Sequence, residues 1–125
     1  MEKAKGFFEI VEALCDRDTR YKPDSYEFVM HALQFTQKKL KRPGHVAGKE
    51  LLDGIRQYAL KTYGPMARTL LEYWGIHTTE DFGNIVFNMI AVKLFSKTED
   101  DTIDDFKDVY RFESAFKHVI SDITL

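Results

Sequence analysis

The sequence is expected to fold as an all-α, compact single-domain bundle of about six helices over residues 1–125, with the third to fifth helices tightly connected. Three observations predict it. Apolar residues recur at three- and four-residue intervals in successive segments, which places them on one face of a helix with 3.6 residues per turn. No stretch of six or more residues alternates convincingly between apolar and polar, and no hairpin signal sits between apolar runs. Residues 47–90 hold three helical patterns in succession, with explicit stop and start residues between them.

The first helix is expected over residues 4–16, where Phe7, Phe8, Ile10, Val11 and Leu14 fall at helical spacing and the polar run from Asp16 to Arg20 ends it. Pro23, Asp24 and Ser25 open a second helix running to about Lys41. Tyr26, Phe28, Val29, Met30, Ala32, Leu33 and Phe35 cover so much of its circumference that it should pack on more than one side. Cations at Lys38, Lys39, Lys41 and Arg42 suit the exposed carbonyls of its C-terminus, and Pro43-Gly44 breaks the chain. Helix three, about 48–63, carries Leu51, Leu52, Ile55, Ala59 and Tyr63 in one stripe and stops at Gly64. Pro65 fits the first position of a short helix four ending near Trp74-Gly75, since its missing amide hydrogen would have no helical partner there. Thr78-Thr79-Glu80-Asp81 reads as a cap and acidic first turn for helix five, whose stripe Phe82, Ile85, Val86, Met89, Ile90 and Leu94 should extend to about Phe95. A last helix is expected from about Ile103 to about residue 122, with a kink near Arg111 or Phe112 where the spacing shifts. Gly54 and Gly83 lie inside helical patterns, where each costs about 1 kcal/mol relative to alanine. A close crossing of helices three and five at these glycines would offset that cost.

A chain of 125 residues can bury a sizeable core without a metal or disulfide framework. Residues 1–63 carry 12 Lys/Arg against 9 Asp/Glu, and residues 64–125 carry 6 against 11, so the chain is dipolar and has no global attraction to polyanions or anionic lipid. Cys15 is the only cysteine, which excludes an intramolecular disulfide and a thiolate cluster and fits a reducing, cytoplasmic setting. Glu9 and Glu12 interrupt the N-terminal apolar stretch too early for a signal-peptide core, and no window suits a membrane span.

Motifs of catalysis are sparse. Asp81-Phe82-Gly83 spells a kinase tripeptide but lacks every companion motif, so Asp81 is assigned to a helix first turn and Phe82 to the core. Glu99, Asp100, Asp101, Asp104, Asp105 and Asp108 form an acidic run without calcium-loop spacing. His31, His45, His77 and His118 form no metal-binding pair, and Cys15 reads as an inert thiol. No catalytic, cofactor-binding or metal-binding residue and no cofactor is assigned. The candidate polyanion contact is Lys38, Lys39, Lys41, Arg42, His45 and Lys49, because phosphate attraction needs only positive charge placed together. Tyr63-Gly64-Pro65 imitates the corner of a helix-turn-helix, but the following helix offers Arg68, Thr69 and Glu72, too little base-reading chemistry for a major-groove element.

His45-Val46, the run Glu50 to Arg56, Gly64-Pro65-Met66-Ala67, Trp74-Gly75-Ile76 and the run Asp81 to Asn88, with Tyr26 to Val29 upstream and Asp105-Phe106 and Ala115-Phe116 downstream, resemble a family of short bacterial conserved hypothetical proteins. The resemblance implies a bacterial, single-domain, stand-alone protein and brings no activity, cofactor or catalytic residue with it. The leading expectation is a non-catalytic cytoplasmic interaction or regulatory module, with an unknown protein or a second copy of itself as partner and no membrane. The alternative is a nucleic-acid-associated factor using residues 38–49, and the remote one is an enzyme whose site is not visible in sequence. The 10 phenylalanines and 6 tyrosines suggest that some aromatics line a partner surface.

Overall fold

The computed structural model describes residues 6–42, 44–97 and 101–117. Every regular element among them is helical: α1 (Phe7–Arg17), α2 (Pro23–Leu40), α3 (Gly48–Tyr63), α4 (Ala67–Tyr73), α5 (Thr79–Ala91) and the single turn α6 (Phe112–Ala115), with 3-10 turns at Gly64–Met66 and Ile103–Phe106. None of the helices is long and apolar enough to cross a membrane.

α2 is central, as its wide apolar face requires, and touches α1, α3 and α5. Tyr26, Val29 and Ala32 from α2, Leu52, Ile55 and Ala59 from α3, and Phe82, Ile85 and Met89 from α5 are fully buried in one continuous core. Leu71, Trp74 and Ile76 close it from the short α4 side, where Trp74 packs on Phe28 with ring centroids 5.7 Å apart. Pro23 occupies the start of α2, and α2 ends at Lys41 in the left-handed region (φ 56), its N–H returning to the carbonyls of Gln37 and Lys38. Gly64 closes α3 with φ 53, and Pro65 lies in the 3-10 turn that leads into α4. Thr78 caps α5: its Oγ1 accepts from Asp81 N–H at 3.3 Å, and Asp81 Oδ2 accepts from Thr78 N–H at 3.2 Å.

Three expectations are corrected. α5 stops at Ala91, one turn before Phe95, because Lys93 turns left-handed (φ 64) and the N–H groups of Leu94 and Phe95 both return to Met89 O. Leu94 and Phe95 still turn inward, but from a reversing chain. The last helix is replaced by a 3-10 turn, an irregular stretch with Asp108 at φ 48, and the single turn α6; residues 118–122 of the expected helix lie outside the described residues. Tertiary hydrogen bonds outcompete helical ones here. Val109 N–H donates to Thr79 Oγ1 at 3.2 Å and Tyr110 O–H donates to Leu52 O at 2.8 Å, anchoring the segment to α5 and α3.

The third correction concerns the glycines. Both mark close approaches, but not of α3 to α5. A Cβ on Gly54 would lie 1.8 Å from Thr36 Oγ1, so this glycine seats α3 against α2. A Cβ on Gly83 would lie 2.8 Å from Phe106 Cβ and Cγ, so this one admits the 3-10 turn onto α5.

Candidate binding pocket

The C-terminal end of α2, the N-terminal end of α3 and the C-terminal end of α5 come together around one pocket. Between them is a cavity of about 390 Å³, within the range of roughly 300–1,000 Å³ usual for ligand sites. Its wall is apolar: Leu33 from α2, Leu51 from α3, Phe87 and Ile90 from α5, and Leu94 and Phe106 from the two segments that follow. The rim is polar. Gln37, His45, Ser96, Lys97 and Asp101 surround the opening. His45 Nε2 lies 3.3 Å from Asp101 Oδ1 and clasps the α2–α3 loop to the chain entering the 3-10 turn. Gln37 Nε2 donates to Gly44 O at 3.0 Å and holds the same loop from the α2 side.

This arrangement divides the six residues of the candidate polyanion contact. Lys38, Lys39, Lys41 and Lys49 are exposed and form no ion pair among the described residues. Arg42 instead pairs with Glu50, which also accepts from Ala47 N–H at 3.0 Å and so caps α3; that amide and the guanidinium hold the Glu50 carboxyl below its ordinary range. His45 is committed to the clasp. Two of the six are therefore already matched to carboxylates, which lowers the positive field available to a phosphate backbone. The helix-turn-helix likeness ends at a seven-residue α4 on which Arg68 pairs with Glu72 at 3.2 Å.

A second polar cluster joins the α1–α2 loop to α5. Asp18 accepts two hydrogen bonds from the Arg20 guanidinium, at 2.9 and 2.7 Å, and one from Asn88 Nδ2 at 2.9 Å. Tyr21 O–H donates to Asp81 Oδ1 at 2.5 Å while accepting from Asn84 Nδ2 at 2.9 Å. The Arg20 hydrogen bonds hold the Asp18 carboxyl well below the usual carboxylate range, and burial followed by the Asp81 bond pushes the Tyr21 phenol above its ordinary value. Neither group exchanges a proton readily near neutrality, which is what general acid–base chemistry would need. The cluster is a clamp between elements.

Because folding favours the charged form of Asp18, its contribution is complete above the unfolded aspartate pKa of about 3.9 and is lost as pH falls further. Thermal unfolding followed from about pH 6 to about pH 3 should show the parent losing stability more steeply than Asp18→Asn, which starts lower at neutral pH. Parallel curves would remove Asp18 from the acid response.

The remaining sequence motifs resolve into structure. Asp81 sits in the first turn of α5 and Phe82 is fully buried, as expected for a chance tripeptide. Cys15 Sγ donates to Tyr21 O at 3.5 Å, and burial, then the charges of Asp16 and Asp18, push its thiol up, away from the reactive thiolate. Asp104 pairs with Lys107 at 3.0 Å, and Asp105 accepts from Thr102 N–H at 3.1 Å. Glu99, Asp100 and His118 lie outside the described residues, among which no group of three or more His, Cys, Asp or Glu could hold a metal ion.

Comparison with family models, characterised proteins and solved structures gives no match, so function is read from geometry and chemistry. The pocket wall is not legible in the sequence, because Ile90 and Leu94 extend the α5 stripe without interruption and a period cannot tell a filled groove from an open one. The Asn84–Asn88 pair was legible in principle: two amides four residues apart on the most apolar helix require buried partners.

Proposed function

We propose that this protein is a bacterial, cytoplasmic, non-catalytic interaction module that receives an apolar group of a protein partner in the pocket between the ends of α2, α3 and α5. The observation that carries the reading is the concentration of apolar wall inside a 390 Å³ opening with a polar rim. An apolar centre within a polar rim is the anatomy of a recognition surface, where affinity comes from the buried anchor and the rim supplies orientation. Asp18 and Tyr21 are held away from neutral titration in a clamp outside the pocket, where they support structure and not proton transfer. Cys15, a thiol kept protonated, suits a reducing compartment. The bacterial setting is proposed from the sequence resemblance alone.

The test fills the pocket. Dilute parent protein should enhance the fluorescence of the hydrophobic dye anilinonaphthalene sulfonate, and Ile90→Trp should abolish most of that signal while circular dichroism and the unfolding transition stay cooperative. A folded parent that does not bind the dye, or a filled variant that binds it equally, sinks the reading.

A further inference from the structure

We propose that the pocket binds a small amphiphilic anion, an aliphatic carboxylate of medium chain length, with the chain inside and the carboxylate at the rim on Lys97. The proposal goes beyond the interaction-module reading and rests on it only in requiring an open pocket. The observation behind it is one uncompensated charge at the mouth of an apolar cavity. Three ionisable side chains line the pocket: His45, Asp101 and Lys97. His45 and Asp101 face each other at 3.3 Å. Lys97 is exposed and forms no ion pair among the described residues. The carboxylates that flank the pocket-lining segments are engaged as well, Glu50 by Arg42, Asp104 by Lys107 and Asp105 by Thr102 N–H. The described rim is therefore left with a cation to match.

The two halves of the ligand follow from the two halves of the site. Lysine presents a compact charge with three donors on a flexible stem, which suits a single carboxylate, and Ser96 beside it lines the pocket with a hydroxyl. Behind the rim, Leu33, Leu51, Ile90 and Leu94 offer hydrocarbon and no polar side-chain atom, so a buried polar group would lose its hydrogen bonds to water while an alkyl chain loses none. At about 30 Å³ for each water-sized group, the cavity of about 390 Å³ takes a chain on the order of ten carbons. A pocket filled by such a chain has no room for the apolar group of a protein partner. The ligand is thus a competitor of that contact and a means of regulating it.

Calorimetric titration of the full chain with sodium decanoate, below the concentration at which it forms micelles, tests the proposal. Decan-1-ol and decylamine carry the same chain with a neutral and a cationic head, and decylamine is the sharper control because an acidic run follows Lys97 in the sequence. Decanoate is expected to bind tightest of the three. From hexanoate to decanoate each added methylene should tighten binding about fourfold, the fold-change that corresponds to burying one methylene. Lys97→Glu should weaken decanoate about tenfold or more and leave decanol unchanged, whereas Lys97→Arg should keep the preference for the carboxylate. Lys97 is exposed, so neither substitution should disturb folding. Ile90→Trp should remove binding of all three. Decanoate that binds no better than decanol or decylamine, affinity that ignores chain length, or a Lys97→Glu protein that binds decanoate like the parent overturns the proposal. A parent that binds decanol and the dye but shows no preference for the carboxylate overturns the ligand class alone, while a parent that binds neither chain nor dye overturns the pocket reading as well.

Discussion

Gly54→Leu is expected to be the most damaging single substitution outside the aromatic core, lowering stability by on the order of 3 kcal/mol or more. A Cβ at this position would fall 1.8 Å from Thr36 Oγ1 and 2.9 Å from Thr36 Cβ, and Thr36 is itself buried with its hydroxyl donating to Ala32 O at 2.7 Å. No rotamer of leucine avoids the contact, because the clash begins at the Cβ. Relief requires α2 and α3 to separate, which would open the contact holding Ile55 and Val29 in the core. Thermal unfolding should show a drop of roughly 10 °C or more, and the smaller Gly54→Ala should show part of it. Adding Thr36→Ala to Gly54→Ala removes the nearest atom and should recover part of the loss, leaving a measurable coupling between the positions. A Gly54→Leu protein that melts with the parent would mean that the two helices do not approach this closely.

Gly75→Val should follow closely. Gly75 has φ 98, a conformation reserved in practice for glycine, and a Cβ there would lie 2.1 Å from the Arg20 carbonyl oxygen. Conformational strain of this kind costs about 1–3 kcal/mol, before the collision with backbone is counted. The effect is specific in place. Gly75 lets the α4–α5 connection sit against the α1–α2 loop, where Lys22 N–H donates to Trp74 O at 3.0 Å. Urea unfolding should show the lost stability, and native-state hydrogen exchange should show the Lys22 amide exposed earlier than amides in α3. An unchanged Lys22 exchange rate would show that the two loops are not held together at this point.

Both effects arise at residues that were visible in the sequence but whose partners were not. A glycine inside the helical pattern of residues 48–63 signals that something must come close, yet the identity of the neighbour depends on the crossing of α2 and α3 in three dimensions. The same holds at Gly83, where the neighbour is a turn some twenty residues further along. The candidate polyanion contact was legible as a run of charge, but the matching of Arg42 to Glu50 and His45 to Asp101 was not, since the second pair joins segments far apart in sequence. The exposed aromatics also needed the structure. Phe8 and Tyr73 are each 67% exposed, while Phe28, Phe82, Phe106, Phe112 and Phe116 are buried, so most of the aromatic content belongs to the core.

By itself the sequence determined the helical class, the order of the elements, the caps at Thr78 and Gly64 and the inward faces of α2, α3 and α5, because these depend on spacing and on residues that satisfy backbone groups within a few positions. Only the tertiary structure decided where α5 ends, why the segment after Ile103 breaks instead of continuing as a helix, which helix each glycine faces, and that the ends of α2, α3 and α5 leave an opening. The physical reason is range. Local hydrogen bonding favours a helix wherever the period allows, but contacts such as Tyr110 to Leu52 and Val109 to Thr79 reward a different path, and their strength is set by residues that local pattern never brings together.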